Sequence, residues 1–379
     1  MTDPAPLRDL RIVEFAAIGP GPYAAMLLAD MGADVVVIDR SADVQPRNRP
    51  MAVQRGKRSI ALDLKTGGGR EVAWRLLESA DALIEGYRPG VMERLGFGPD
   101  AVAARHPRLV YGRVTGWGRQ GPLAQAAGHD INYVALSGAM SSARRAGELP
   151  LVPPTLLGDM AGGAMFLVFG LLCALREAAR SGRGQVVDAA MIDGVASLGA
   201  LVQQMRGIGY WRDDPAQNFF LHGSPFYEVF ECADGGCVTL GAIEPAFYAE
   251  LLRRLGLDDV DPASQYDTRL WPALKARVAA RLREKTRAQW CALLEGTDAC
   301  FAPVLDFDEA AAHPHNVERG LFVEVDGQRQ PAPAPRLSRT PARAPGPGCV
   351  IGADTDAVLA ALGYDAAAVA ALRADRACA

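Results

Sequence analysis

An α/β fold built on a parallel sheet is what this chain predicts, and two features carry that prediction. From Arg11 onward, short β-branched runs alternate with segments of helical period, and glycines stand at the joints between them. A third feature sets the domain number: 379 residues exceed the usual size of one core, so two domains are expected.

In chain order, "RIVEFAA" reads as a strand and "YAAMLLADMG" as a helix closed by Gly32 at its C′ position. "ADVVVIDR" follows as a strand, "GGREVAWRLLESA" as a helix, and "DALIEGY" and "RLVYGRVTG" as strands. Gly86, Gly112 and Gly116 close or interrupt the later strands. The apolar run "AGGAMFLVFGLLCAL" at 161–175 is short for a bilayer span and carries three glycines, which predicts a buried helix close against a neighbour. After "GRGQVVDAAMIDGVASLGALVQQ" the stretch 207–224 is irregular and aromatic and reads as a linker. A hairpin, "FYEVFECADGGCVTLGA", and helices around "PAFYAELLRRLGL" and "WPALKARVAARLREKTRAQWCALLEG" then make a small α+β domain. "QPAPAPRLSRTPARAPGPG" is an extended, polyproline-like connection, and 355–373 a helical tail. The expected layout is a large domain over 1–190 completed by 325–379, a linker over 191–224, and a small domain over 225–324. No internal repeat is evident.

The composition is that of an ordinary globular protein: 49% of residues are apolar, 22% charged, and the net charge is only −4. Without a basic excess, a nucleic-acid partner is not expected. The opening "MTDPAPLRDLRIVEF" lacks a basic segment followed by an apolar one, so a cytoplasmic location and no membrane span are expected. Seven scattered cysteines point to reduced thiols; Cys232 and Cys237 flank a turn, with no second ligand pair at zinc spacing, so no metal is expected.

"GPGPYA" at 19–24 fits G-x-G-x-x-A between a strand and a helix, with Asp39 about twenty residues on, as a dinucleotide fingerprint asks. Yet that loop works through backbone N–H groups, and Pro20 and Pro22 have none. A rigid strand-to-helix turn is the better reading.

Acid–base chemistry has three candidate locations: His129 with Asp130, Asp159 in "TLLGDMAGG", and Glu244 in "LGAIEPAFY". Asp159 is placed to be an N-cap, or a desolvated carboxyl raised toward the range that proton transfer needs. His129 followed by Asp130 and Asn132 marks a helix start, whose open N–H groups suit an oxyanion. Glu244 before Pro245 marks another. From the residues alone these remain groups without a reaction.

"AAIGPGPYAAMLLADMGADVVVIDR", "LIEGYRPGVMERLGFGP", "TGWGRQGPLAQAAGHDINYVALSG", "GDMAGGAMFL", "GRGQVVDAAMIDG" and "GAIEPAFY" together resemble the α-methylacyl-CoA racemases, a branch of the family III CoA-transferase (CaiB/BaiF) group. The resemblance runs from about residue 7 to about residue 340, and "GHDINY" favours the racemase branch. It implies a Rossmann-like large domain, a small domain reached by long linkers, and an interlocked homodimer with shared active sites. It also implies inversion of a 2-methyl stereocentre beside a thioester by two bases, with coenzyme A as part of the substrate and no metal or redox cofactor.

Carried over, His129 serves one face and Asp159 the other, Glu244 of its own chain or of the partner orients the imidazole, and Asp130 offers its backbone N–H to the thioester oxygen. An imidazole ordinarily titrates near ~6.5 and an Asp near ~3.9, so the Asp must be raised for the pair to exchange roles. Arg40 and Arg94 fall to phosphate, Leu62, Asp63, Lys65, Gly86, Tyr87 and Arg88 to the nucleotide and pantetheine walls, and Gly128, Ile131, Asn132 and Tyr133 to the thioester. Met191, Met205 and Phe226 are candidates for the acyl tail. Thr155 departs from an expected asparagine behind Asp159. The alternatives are a CoA-transferase in which Asp159 attacks the thioester to form an anhydride, an acyl-CoA binder without catalysis, and last a nicotinamide dehydrogenase.

Overall fold

A computed structural model describes residues 4–45 and 51–379. The chain groups into two units, one made of the chain through Ser137 with Pro153–Leu198 and Gly320–Ala379, the other of Gly138–Val152 and Gly199–Arg319.

The first unit is a six-stranded sheet in the order β3-β2-β1-β4-β5-β6. Its strands are β1 (Arg11–Phe15), β2 (Asp34–Arg40), β3 (Arg58–Leu62), β4 (Ala82–Glu85), β5 (Val110–Thr115) and β6 (Val186–Ala190). Every pairing is parallel. The helices between them are α1 (Pro20–Asp30), α2 (Gly67–Glu78), α3 (Val91–Leu95), α4 (Pro99–Arg105) and α5 (Asp130–Leu136). A π-helical segment, Leu156–Met165, runs directly into α6 (Phe166–Ser181), and α7 (Met191–Leu198) follows β6 without a break.

Strand periodicity sorts the core onto two faces. Val13, Phe15, Ile38, Ile60 and Leu83 pack with α2, Met92 and Phe97 on one face. Ile12, Val35, Ile84, Val110 and Val114 pack with α1 and with Leu167, Leu171 and Ala174 of α6 on the other. This order places the switch of winding direction between β1 and β4, the position at whose carboxyl ends α/β sheets bind ligands.

Two strands lie outside the sequence reading. β3 follows a basic stretch and is only five residues long, while β6 carries Asp188 mid-strand and joins α7 with no turn signal. The helix read as buried over 161–175 is longer and more open than expected. Leu156–Ser181 forms 26 continuous helical residues, long and apolar enough by length and composition to cross a membrane, and only a third of the window is buried. Its inner face lies on the sheet, while Met165, Phe169 and Leu172 are exposed.

The second unit holds α8 (Ala200–Gly207), the antiparallel sheet of β7 (Tyr227–Glu231), β8 (Cys237–Gly241) and β9 (Phe301–Pro303), and α9 (Pro245–Leu255), α10 (Trp271–Leu282), α11 (Arg287–Leu294), α12 (Phe307–Ala312) and α13 (Pro314–Glu318). The expected hairpin is present, with Cys232 beside its turn, and all seven cysteines are free thiols. The aromatic stretch after α8 is no linker: Phe219 belongs to the core with Phe226, Trp271 and Trp290, and Phe220 packs against it. Residues 138–152, expected in the large domain, are tied here through Arg145, whose guanidinium donates to the buried Glu228 at 2.9 Å.

The chain then returns to the first unit as the hairpin β10 (Phe322–Val325) and β11 (Gln328–Pro331), an extended connection, and two helices, α14 (Thr355–Ala361) and α15 (Ala366–Ala374), in place of the single expected tail helix. This last segment covers β3, the sheet's outer strand: Ser59 N–H donates to Asp354 at 2.9 Å, Ala61 N–H to the Thr355 hydroxyl at 3.2 Å, and Asp63 N–H to the Ala377 carbonyl at 2.9 Å.

Inside the sheet, the Lys57 ammonium donates to Glu14 at 2.7 Å and to the Pro22 carbonyl at 2.9 Å, with both side chains shut off from solvent. Removing one partner strands a charge in a low-dielectric interior. Lys57→Met is therefore expected to cost about 3–5 kcal/mol in urea denaturation, and adding Glu14→Leu to recover most of that loss. Additive losses would show that the pair is not coupled.

Candidate active site

The turn after β1 and the turn after β4 frame two cavities. The larger, about 870 Å³, is lined by Ile38, Asp39, Arg40, Leu62, Asp63, Lys65, Gly86 and Tyr87, among others. The smaller, about 290 Å³, is lined by Gly19, Pro20, Gly86, Tyr87, Arg88, Gly128, His129, Tyr133, Asp159 and Met191, among others. Ile18, Gly86 and Tyr87 border both, so the two lie side by side.

Most expected site residues thus gather in two adjoining spaces. Arg40, Leu62, Asp63 and Lys65 lie around the first, Arg88 and the Gly128–His129–Tyr133 set around the second. Arg94 is exposed on α3 and lies off both walls, although Val91 and Leu95 of the same helix line the larger cavity. Ile131 points outward at 58% exposure, and Asn132 serves the helix start by accepting the His129 N–H at 3.0 Å. Glu244 is the N-cap of α9 in the second unit, without a side-chain cap bond. Of the tail candidates, Met191 lines the smaller cavity, whereas Met205 and Phe226 are buried in the second unit.

The turn at 19–24 holds the expected rigid form: Gly19 is the N-cap of α1 at φ 71°, and Pro20 opens the helix. A Cβ on Gly19 would stand 3.6 Å from Asp159 Oδ2, so the carboxyl faces the glycine turn.

Asp159 is not itself an N-cap. That position belongs to Thr155, whose φ of 62° lies in the left-handed region, and Asp159 sits in the first turn of the π-helical segment. What holds it is Asp130, whose Oδ2 accepts the N–H of Gly158 at 2.6 Å and of Asp159 at 2.8 Å. Only glycine at 158 permits this, since a Cβ there would lie 2.5 Å from Asp130 Oδ2. The segment also runs against α7 backbone to backbone: a Cβ on Gly194 would fall 1.9 Å from the Gly162 carbonyl oxygen.

Burial pushes the Asp159 carboxyl above its ordinary range, the nearby Asp130 adds to the rise, and His129 opposes it. The Tyr133 ring stands edge-on to Trp117 at 4.7 Å, and its hydroxyl donates to the Gly128 carbonyl, directly before His129. Burial, with the Glu85 charge behind it, pushes the Tyr87 phenol up to about 12, which keeps it a neutral donor between the cavities. Glu85 itself receives the Tyr87 N–H at 2.7 Å and the Arg113 guanidinium at 2.5 Å.

Sequence reasoning left out the Asp130 carboxylate, assigning that residue a backbone role alone, and left out Tyr133 as a brace for the His129 peptide. The only sequence signal for the first is Gly158 itself, small beside an acid. Among the described residues no cluster of three or more His, Cys, Asp or Glu side chains could hold a metal ion.

Two outcomes test this geometry. A carboxyl raised in the folded state favours the protonated form there, so folding stability falls as pH climbs from the unfolded value of 3.8 through the raised one. Asp159→Asn removes that loss, and the variant's gain over wild type in urea midpoint is expected to be larger at pH 8 than at pH 4; a constant difference would contradict it. A β-branched residue in the left-handed region is strained, and Asn tolerates it better, so Thr155→Asn is expected to stabilise the fold by about 1 kcal/mol. A loss of stability would show that Thr155 has compensating contacts.

Comparison with known proteins shows the family. The sequence profile of CoA-transferase family III matches residues 7–355. "Alpha-methylacyl-CoA racemase" from Mus musculus is 45% identical over 338 residues, 89% of this chain and 87% of that one. "Alpha-methylacyl-CoA racemase" from Homo sapiens is 41% identical over 376 residues, 98% and 97% of the two chains. The crystal structure of a CAIB/BAIF family protein from Brucella suis superposes at a TM-score of 0.80, covering 94% of this chain and 99% of that one, at 24% identity.

Proposed function

This chain belongs to CoA-transferase family III, and from that premise we propose that it is a racemase that inverts the 2-methyl stereocentre of 2-methylacyl-CoA thioesters by two-base proton transfer. The observation that carries this reading is that His129 and Asp159 line one small cavity, which shares the wall of Ile18, Gly86 and Tyr87 with a larger one.

The imidazole of His129 takes the α-proton from one face of the thioester. The electron pair moves onto the carbonyl oxygen, giving an enolate. Protonated Asp159 then returns a proton to the opposite face, leaving an imidazolium and a carboxylate ready for the reverse enantiomer. Raising the Asp159 carboxyl supports this, because an ordinary aspartic acid would hold no proton to give. The enolate oxygen is met by the first N–H groups of α5, Asp130 foremost, which have no acceptor within the helix.

Coenzyme A enters as part of the substrate, its nucleotide against Arg40, Leu62, Asp63 and Lys65, its pantetheine past Gly86, Tyr87 and Arg88. The chemistry asks for no metal or redox cofactor. Arg94, exposed on α3 and off both walls, is left out of these contacts.

A homodimer with shared sites is part of the proposal. The exposed Met165 of the π-helical segment and Phe169 and Leu172 of α6, with Ile131 and Leu136 of α5, supply apolar surface of the kind that marks an interface. Glu244, on the second unit, orients the imidazole from its own chain or from a second copy. A cytoplasmic location completes the reading.

In deuterated water without an acceptor acid, a 2-methylacyl-CoA is expected to take up deuterium at the α-carbon while its stereochemistry scrambles. Acyl transfer to an added carboxylate without such exchange would move the assignment to a transferase with Asp159 as nucleophile. His129→Ala should cut racemisation by about 10²–10⁴-fold with coenzyme A binding retained. Survival of activity in that variant would sink the two-base scheme.

A further inference from the structure

The Asp130 side chain has no part in the proton transfer just described, yet it is buried and stands against the second base. One oxygen accepts two consecutive backbone N–H groups, those of Gly158 and Asp159, at 2.6 and 2.8 Å. These belong to the first turn of the π-helical segment, where donors lack intrahelical acceptors. A capping acid at a helix start is ordinarily supplied by the residue just before it. Here it comes from α5, and the preceding residue, Thr155, is a strained position that makes no side-chain cap bond.

We propose that the Asp130 carboxylate is a positioning residue for Asp159, fixing the second base against the cavity through two backbone N–H groups and placing a like charge beside it. The inference rests on the racemase reading for its kinetic consequence, while its structural part stands apart from it.

Two anions close together in a partly buried space disfavour each other, so the neighbour biases Asp159 toward carrying a proton. The direction agrees with the raised Asp159 carboxyl, where the Asp130 charge acts alongside burial. The groups facing Asp159 bear this out. α5 brings Asp130, His129 at its N-cap and the neutral Tyr133 hydroxyl; the α1 side presents the uncharged Gly19 turn. α7, which packs closely on the segment, carries Asp193, and no side-chain group other than Asp130 and His129 acts on the carboxyl.

His129 and Asp130 thus hold the two bases in one grip. The backbone between them starts α5, so a shift of that helix would move the imidazole and the aspartyl cap together. Adjacent residues at a helix start point in different directions, which lets one face the cavity and the other the segment behind it.

Asp130→Asn tests the idea, because the amide oxygen can still accept both N–H groups while the charge is gone. The readouts are the carboxyl NMR titration of Asp159, assigned by its loss in Asp159→Asn, and the pH profile of kcat/KM for racemisation. The Asp159 signal and the acid limb of the profile are both expected to move to lower pH. kcat/KM at pH 8 should fall by about tenfold or more, equally for both enantiomers, with KM and thermal midpoint near wild type. If the folded variant leaves both the signal and the acid limb where they are, the proposal is overturned, whatever the rate does. Should Asp130→Asn not fold, Asp130→Ser, an uncharged acceptor, carries the same readouts. Wild-type enzyme that exchanges no α-proton would refute the racemase reading, and the NMR titration would still decide the role of Asp130.

Discussion

A single buried ammonium holds the turn on which the site is built. Lys57 reaches from the residue before β3 to Glu14 inside β1 and to the Pro22 carbonyl in the first turn of α1. The turn between those points carries Ala17, Ile18 and Gly19 to the cavity walls. Pro20 and Pro22 leave it without two of its N–H donors, so the turn is anchored through a carbonyl instead, and the anchor is a charge that cannot leave without exposing another. A sheet whose strand order suits a dinucleotide therefore presents a stiff, donor-poor wall, and the carboxyl of Asp159 stands against it.

From that wall the site is assembled by groups that act on backbone rather than on ligand. Glu85 fixes the Tyr87 peptide between the two cavities, Tyr133 braces the carbonyl before His129, and Asp130 closes the start of the π-helical segment. Each is an acid or phenol whose proton chemistry is displaced by burial or spent on hydrogen bonding. Acid–base residues reach the cavity where the backbone opens between these braces.

Much of the fold was legible because its strands and helices keep their periods. "RIVEF", "DVVVIDR" and "VYGRVT" are continuous apolar or β-branched runs, as strands buried on both faces must be. β3 and β6 were not legible, since "RSIAL" is short beside a basic run and "VVDAA" passes straight into a helix. The aromatic stretch after α8 has no period, and only the packing of Phe219 reveals it as core rather than linker. In the site, His129 and Asp159 emerged from motifs, while the Thr155 backbone strain and the Asp130 cap did not. A dihedral angle and a contact between residues 28 apart leave no local pattern to read.

The way the final segment covers β3 also orders events in time. A parallel strand at the rim of a sheet is a template for other chains while its polar backbone is open. Here the groups that close it, at 354, 355 and 377, are made only after the whole of the second unit. On the ribosome the first unit must wait with an unfinished edge while the whole of the second unit is made. The contacts of that edge span more than 300 positions: Leu62 is bridged to Cys378, and the Ala379 N–H donates to the Ala61 carbonyl. Such long loops close slowly, so the newborn chain's exposure to aggregation is set by the segment at 354–377 rather than by the first sheet-forming residues.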